Sequence, residues 1–299
     1  MRPLLALVLL AGVLAGCGGG SEHAAAVSSG PYAYDRSAPL DLRDRGVVRR
    51  IHRARVRDVS YASPRGGRVN AYLVVPRRPG RHPAVIFLHG AGGNRAQLLE
   101  LATRVARRGA VALTVDSPFA RLGNAGGPTG LAGLRRMRDL FEQEVIDLRR
   151  AVDVLQSLPF VDPGRLAFLG WSAGARSGAI FAAVEPRVRS FVLIGGGARP
   201  LAEYLAYVPQ DVRSEVRRLL SPVDPLRWIR RARPGTLFFQ NGLADEIVPR
   251  EALTALIDAA PSPRRVRWYA AGHVPTARMR ADAIAWLSRR LRFVSAPGS

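Results

Sequence analysis

The sequence predicts a doubly wound α/β fold, in which a mostly parallel sheet carries helices on both faces. Two alternating segments, at 55–61 and 69–76, come first and are separated by Ser-Pro-Arg-Gly-Gly. Continuous apolar runs follow them, with helical patterns in between. Alternation indicates a strand with one buried face, whereas a short continuous run is typical of a parallel strand that is buried on both faces.

The elements follow in chain order. The two alternating segments predict an antiparallel hairpin at the N-terminal side of the sheet. The apolar runs predict strands at 84–90, 110–116, 165–171, 190–196, 236–242 and 265–272. Apolar residues at helical spacing predict helices at 94–108, 131–157, 173–184, 249–259 and 277–291. Residues 197–233 are too long for a plain connection between strands, so we expect a small helical cap there.

The N-terminus predicts export. Arg2 precedes an apolar run that ends in Leu-Ala-Gly-Cys, which has the form of a secretory signal. The run is too short for a membrane-spanning helix, which needs about 20 apolar residues. Its ending resembles the bacterial lipobox, and this resemblance implies a lipidated Cys17 and a membrane anchor in the cell envelope. The expected organisation is a signal peptide at 1–17, a flexible tether at 18–53, a domain at 54–293 and a tail at 294–299.

The composition narrows the range of partners. The net charge is +22, and all 45 basic residues are arginine, spread along the whole chain. Nucleic-acid-binding proteins usually mix lysine with arginine and cluster them on one face, so we expect no nucleic-acid partner. Attraction to an anionic membrane surface fits the charge better. Cys17 is the only cysteine, and no His, Cys and Asp cluster has metal-ligand spacing, so we expect no metal.

Three side chains of complementary chemistry each follow a predicted strand. They are Ser172, Asp245 and His273, in that order along the chain. Reacting groups in an open α/β sheet gather at the carboxyl ends of the strands, so we expect these three to meet there. A serine hydroxyl becomes a useful nucleophile when a base takes its proton and a carboxylate holds that base. The pattern therefore predicts nucleophilic catalysis.

From about residue 55 to 292, the sequence resembles the α/β-hydrolase family, and within it the dienelactone-hydrolase-like and serine esterase branches. Gly-Trp-Ser-Ala-Gly at 170–174 matches the nucleophile-elbow pattern G-x-S-x-G between a strand and a helix. Gly-Leu-Ala-Asp at 242–245, followed by Val-Pro, is similar to the acid loop of the family. The Gly-His pair at 272–273 is similar to its histidine loop.

The resemblance implies a role for each site residue. Ser172 attacks the carbonyl carbon, His273 takes and returns the proton, and Asp245 orients the imidazole ring. The backbone N–H groups of Ala91 and Ala173 hold the oxyanion, since Ala91 follows a His-Gly pair as in the family. An acyl-enzyme forms and water resolves it, and no cofactor takes part.

Other polar residues near these motifs have alternative interpretations. Glu246, beside Asp245, is the runner-up for the catalytic acid, and Asp116 is a second candidate at a strand end that more often shapes the pocket. We call residues 89–93, which carry Ala91, the oxyanion loop, and we interpret His89 as a structural residue that supports this loop. His52 and His82 lie in polar sequence, which predicts surface positions.

Four aromatic residues are candidates for a substrate pocket: Trp171, Tyr204, Tyr207 and Trp228. Packing is the alternative for each of them, beneath the elbow for Trp171 and within the cap for the others. Dienelactone hydrolases have cysteine at the elbow where this chain has Ser172. Dienelactone is therefore not the expected substrate.

The predicted function is hydrolysis of small-molecule carboxylic esters by a serine hydrolase. Amidase, thioesterase or peptidase activity uses the same machinery, and the sequence leaves these alternatives open. A non-catalytic envelope lipoprotein with this fold is a further alternative, since a fold can persist without its chemistry. The oligomeric state is also left open.

Overall fold

A computed structural model describes residues 30–121 and 130–293, which build a single mixed sheet. The strands are β1 Arg43–Ile51, β2 Ala54–Ala62, β3 Arg68–Pro76, β4 His82–Leu88, β5 Val111–Val115, β6 Val161–Trp171, β7 Val188–Ile194, β8 Leu237–Gly242 and β9 Arg265–Tyr269. Their order across the sheet is β1-β2-β3-β5-β4-β6-β7-β8-β9. Along this order, the pairs β1-β2, β2-β3 and β3-β5 are antiparallel. The remaining pairs, from β5-β4 to β8-β9, are parallel. This confirms the predicted sheet with its N-terminal antiparallel hairpin.

Helices cover both faces of the sheet. They are α1 Leu99–Arg107, α2 Pro118–Arg121, α3 Gly130–Ser157, α4 Ala173–Val184, α5 Leu201–Ala206, α6 Arg213–Leu220, α7 Pro225–Ile229, α8 Arg250–Ala259 and α9 Ala277–Leu291. The core on one face includes α1 and α9, and the core on the other face includes α3, α4 and α8. Across the described ranges, no helix combines the length and apolar character that crossing a membrane requires.

The central strands send alternate side chains into the two cores. In β4, Ile86 and Leu88 pack on the face of α3 and α4, whereas Val85 and Phe87 pack on the face of α1 and α9. Every residue of β4 is buried. Because both faces need apolar side chains, the strand appears in the sequence as a continuous apolar run.

The cap segment predicted at 197–233 contains three short helices, α5 to α7, and two 3₁₀ turns. Helix α7 packs against α4, and α6 packs against α3, where Arg135 forms an ion pair with Glu215. The cap therefore lies against α4, the helix that begins beside Ser172.

The start of the domain differs from the prediction of a tether at 18–53. Strand β1 lies inside that range, and none of its residues is buried. An exposed edge strand rich in arginine has no apolar periodicity, which explains why the sequence did not reveal it. The predicted signal peptide at 1–17, with Cys17, and the tail at 294–299 lie outside the described residues, as does the tether up to residue 29.

Residues 30–42, which we call the N-terminal strap, dock against helix α3 and the cap. The Tyr32 side chain is buried, its ring meets the Trp228 ring edge-to-face at 5.1 Å, and its hydroxyl donates to the Pro222 carbonyl at 2.7 Å. The Tyr34 hydroxyl donates to the Asp153 carboxylate of α3 at 2.7 Å. The strap thus joins α3 to the cap.

Candidate active site

Strand β6 ends one residue before Ser172, and α4 begins one residue after it, so a single residue makes the turn. Ser172 has φ +55° and ψ −118°, a strained backbone conformation for a residue with a side chain. A Cβ atom at Gly170 would overlap the backbone of Gly174, and one at Gly174 would overlap the Leu88 carbonyl. The glycines therefore allow the close packing that lifts Ser172 out of the strand.

The structure brings Ser172, His273 and Asp245 together. Nε2 of His273 lies 2.9 Å from the Ser172 hydroxyl oxygen, and Nδ1 lies 2.9 and 3.0 Å from the two Asp245 carboxylate oxygens. Asp245 Oδ1 also accepts the backbone N–H groups of Ile247 and Val248, at 3.0 and 2.9 Å. With the Nδ1 proton donated to Asp245, Nε2 can accept the serine proton. The arrangement can therefore activate a hydroxyl nucleophile.

The histidine loop is held through its backbone. Glu246 accepts the His273 backbone N–H at 3.3 Å, and the Trp171 indole N–H donates to the His273 carbonyl at 3.1 Å. The Trp171 ring also lies 5.7 Å from the imidazole ring, measured between centroids. Glu246, the runner-up acid, thus contacts the main chain of His273 instead of its ring. Trp171 packs between the elbow and the histidine loop.

The two predicted oxyanion donors lie on segments that meet at Ser172. A Cβ atom on Gly90 would lie 3.3 Å from Cβ of Ser172, so the loop that carries Ala91 passes directly beside the serine. Ala173 is the first residue of α4, where backbone N–H groups lack partners within the helix. Among the described residues, neither of these two N–H groups has a hydrogen-bond partner. Both can therefore donate to an oxyanion.

His89 is structural, as its position in the oxyanion loop suggests. Its Nε2 accepts the Ser117 backbone N–H at 3.1 Å, and its Nδ1 donates to the Gly90 carbonyl at 2.7 Å. Asp116, the other acid candidate, accepts the Arg95 backbone N–H at 2.7 Å and is not brought to His273.

The two remaining histidines have different environments. His52 is exposed, in agreement with the prediction. The surface prediction for His82 is wrong, because this residue is 5% exposed. Its ring nitrogens lie 3.0 Å from the Gly109 carbonyl and 2.9 Å from the Arg78 carbonyl. These two carbonyls supply the polar contacts that its polar sequence neighbours do not suggest.

The structure does not bring the four aromatic pocket candidates together in one pocket. Tyr204 and Tyr207 are 44% and 88% exposed. Trp228 packs on Tyr32, and its indole N–H donates to the Pro222 carbonyl at 2.7 Å. For Trp228 the packing alternative therefore holds, since its ring lies between the cap and the strap.

One buried carboxylate below the elbow was not predicted. Glu144 of α3 accepts hydrogen bonds from the hydroxyl groups of Ser117 and Ser177. A signal was present in the sequence, because Glu144 stands at helical spacing between Phe141 and Leu148, on the apolar side of the helix. Within residues 30–121 and 130–293, no three His, Cys, Asp or Glu residues form a group that could hold a metal ion.

Comparison with known proteins gives matches in sequence and in structure. The 2,6-dihydropseudooxynicotine hydrolase of Paenarthrobacter nicotinovorans is 28% identical over 125 residues, which is 42% of this chain and 31%, about a third, of that protein. Acetyl xylan esterase 1 from Thermoanaerobacterium sp. JW/SL YS485 superposes with a TM-score of 0.73, at 22% identity over 92% of this chain and 93% of that chain.

A dienelactone hydrolase candidate from Klebsiella pneumoniae subsp. pneumoniae MGH 78578 superposes with a TM-score of 0.60, at 18% identity over 80% of this chain and 99% of that chain. These structural matches show the α/β-hydrolase fold that the motifs implied. The family model for acetyl xylan esterase (AXE1) matches residues 36–195, just over half of the chain. The match includes the Ser172 elbow and begins within the N-terminal strap. The chain belongs to the acetyl xylan esterase (AXE1) family.

Proposed function

We propose that this hydrolase cleaves small carboxylic esters through a triad of Ser172, His273 and Asp245. The observation that carries the proposal is the line of hydrogen bonds from the serine through both ring nitrogens to the carboxylate, with distances of 2.9 Å on each side of the ring. Membership of an esterase family and the order serine, aspartate, histidine along the chain support it.

In the proposed reaction, the Ser172 oxygen attacks the ester carbonyl carbon while its proton moves to Nε2 of His273. The negative charge that develops on the carbonyl oxygen is stabilised by the N–H groups of Ala91 and Ala173. The imidazolium, stabilised by Asp245, then gives its proton to the departing alcohol, and an acyl-enzyme remains. Water then attacks the acyl carbon while His273 takes its proton, and the bond to the Ser172 oxygen breaks as His273 returns the proton to it. The carboxylic acid is released.

The proposed acyl group is acetyl. The support comes from the family, whose description names an acetyl ester, and from the solved acetyl xylan esterase that superposes on nearly the whole chain. Amides and thioesters react through the same tetrahedral chemistry, so the leaving group must be tested separately.

The full chain should hydrolyse p-nitrophenyl acetate with a higher kcat/KM than p-nitrophenyl butyrate or decanoate. Its kcat/KM for the acetate ester should also exceed that for a matched acetyl thioester and a matched acetyl anilide. A fluorophosphonate should label one residue per chain, and peptide mapping should place the label on Ser172. Folded protein that neither turns over esters nor takes the label would contradict the proposal and favour the non-catalytic alternative. Preference for the anilide or thioester would contradict the ester assignment alone.

We also propose that the enzyme is anchored in the cell envelope through a lipid on Cys17. The support is the Leu-Ala-Gly-Cys ending of the N-terminal apolar run. The variant Cys17→Ser should move the protein from the membrane fraction to the soluble fraction, since a thioether-linked lipid cannot form on serine. Unchanged fractionation of this variant would overturn the proposal.

A further inference from the structure

A single buried carboxylate is connected to both segments that carry the proposed oxyanion donors. We infer that Glu144 is a positioning residue, which holds the N–H groups of Ala91 and Ala173 in the geometry that stabilises the transition state. The inference rests on the proposed function, because it assigns a role within the oxyanion hole of that reaction. Two routes of hydrogen bonds carry it.

The first route leads to the nucleophile helix. Glu144 lies on α3, and its Oε1 accepts a hydrogen bond from the hydroxyl group of Ser177 on α4. Ala173 is the first residue of the same α4. A helix moves nearly as a rigid unit over one turn, because consecutive hydrogen bonds connect its residues. The bond from Ser177 to Glu144 therefore fixes the position of the Ala173 N–H relative to α3.

The second route leads to the oxyanion loop. Glu144 Oε2 accepts a hydrogen bond from the Ser117 hydroxyl group, and the Ser117 backbone N–H donates to His89 Nε2 at 3.1 Å. His89 Nδ1 then donates to the Gly90 carbonyl at 2.7 Å. The peptide between Gly90 and Ala91 is planar and trans, so its N–H points away from its carbonyl. Fixing the Gly90 carbonyl thus fixes the direction of the Ala91 N–H.

The environment of Glu144 indicates that stability is not the reason for this carboxylate. It is 5% exposed, and the hydroxyl groups of Ser117 and Ser177 donate hydrogen bonds to its two carboxylate oxygens. Burial raises the pKa of the Glu144 carboxyl, and the two hydroxyl groups together with the positive charge of Arg176 only partly offset this effect. A buried charge whose pKa is raised in the folded state lowers the stability at neutral pH.

Glu144→Gln tests the role, because glutamine has nearly the same shape and no charge. We expect kcat for p-nitrophenyl acetate to fall about 10- to 100-fold, less than the loss of one whole oxyanion donor, with KM within about twofold. Methyl trifluoromethyl ketone is the ketone analogue of an acetyl ester and forms a tetrahedral oxyanion adduct with the serine. Its inhibition constant should rise by the same factor. The unfolding temperature at pH 7 should stay the same or rise.

Glu142→Gln is the matched control. Glu142 is also buried on α3, but it faces Arg65 and Arg138, at 3.8 and 4.0 Å. Among the residues that the structure describes, no hydrogen bonds connect it to the site. We expect its kinetics to match those of the wild type. Ser117→Ala should reproduce the direction of the Glu144→Gln effect, since it breaks the second route alone.

Three results would overturn the inference. One is a kcat of Glu144→Gln within twofold of the wild type. Another is an equal loss in Glu142→Gln. The third is a loss of activity in Glu144→Gln that is accompanied by a lower unfolding temperature and an unchanged inhibition constant of the ketone. Such a result would indicate that Glu144 only stabilises the fold. Failure of the proposed function is distinguishable, because the wild type itself would then be inert to ester and fluorophosphonate.

Discussion

Ser172→Ala is expected to lower kcat for p-nitrophenyl acetate about 10⁶-fold, the size of effect seen when a triad serine is removed. Alanine leaves His273 and Asp245 in place but offers no oxygen for attack on the carbonyl. KM should change little, because ground-state binding does not depend on the attacking atom. Initial rates, measured at enzyme concentrations high enough to detect slow turnover, check the prediction.

The fold should survive this substitution. Ser172 has φ +55°, and alanine accepts that conformation at about the same cost as serine, so the unfolding temperature should match that of the wild type. Fluorophosphonate labelling should disappear. Ser214→Ala, at an exposed position of α6, is the control and should keep both activity and labelling. More than one per cent of the wild-type kcat in purified Ser172→Ala would show that another residue is the nucleophile.

Asp245→Asn is expected to lower kcat about 10⁴-fold at pH 7. Oδ1 of Asp245 accepts two backbone N–H groups, from Ile247 and Val248, so the amide oxygen of asparagine should take that place. The amide NH₂ then faces Nδ1 of His273 and donates to it. This holds the imidazole with its proton on Nε2, where it cannot accept the proton of Ser172.

Glu246→Gln separates the two adjacent carboxylates. Glu246 contacts the backbone N–H of His273 at 3.3 Å and not the imidazole ring, so we expect kcat to stay within about fivefold of the wild type. Steady-state kinetics of both variants on one ester provide the comparison. A large loss in Glu246→Gln with a small loss in Asp245→Asn would reverse the assignment of the acid.

The elements with strong apolar periodicity could be predicted closely from the sequence. Helices α4 and α9 have the predicted bounds, 173–184 and 277–291, because each repeats buried apolar or small residues at helical spacing. Strand β1 could not be predicted, since it is an exposed edge strand whose pairing depends on β2 and not on its own burial.

The candidate site also contains residues that could be predicted from the sequence and residues that could not. The triad could be predicted because each member lies within four residues of the end of a strand, and the fold gathers strand ends at one edge. The hydrogen bonds of Glu144 could not be predicted, because its partners Ser117 and Ser177 are 27 and 33 residues away and lie outside α3. Hydrogen bonds between side chains of distant segments leave no periodic pattern. The signal in the sequence is limited to the position of Glu144 between Phe141 and Leu148, on the apolar side of α3.

The N-terminal strap has a consequence for the order in which the chain acquires structure. Tyr32 is among the first residues of the domain to be synthesised, yet the carbonyl that its hydroxyl binds, on Pro222, is 190 residues further along the chain. Contacts of such long sequence separation form slowly, since closing a long loop costs entropy before the contact contributes. Tyr32 therefore lacks this partner until the cap has been synthesised, whereas Tyr34 of the same strap can bind Asp153 earlier, so the docking of Tyr32 belongs to a late stage of folding.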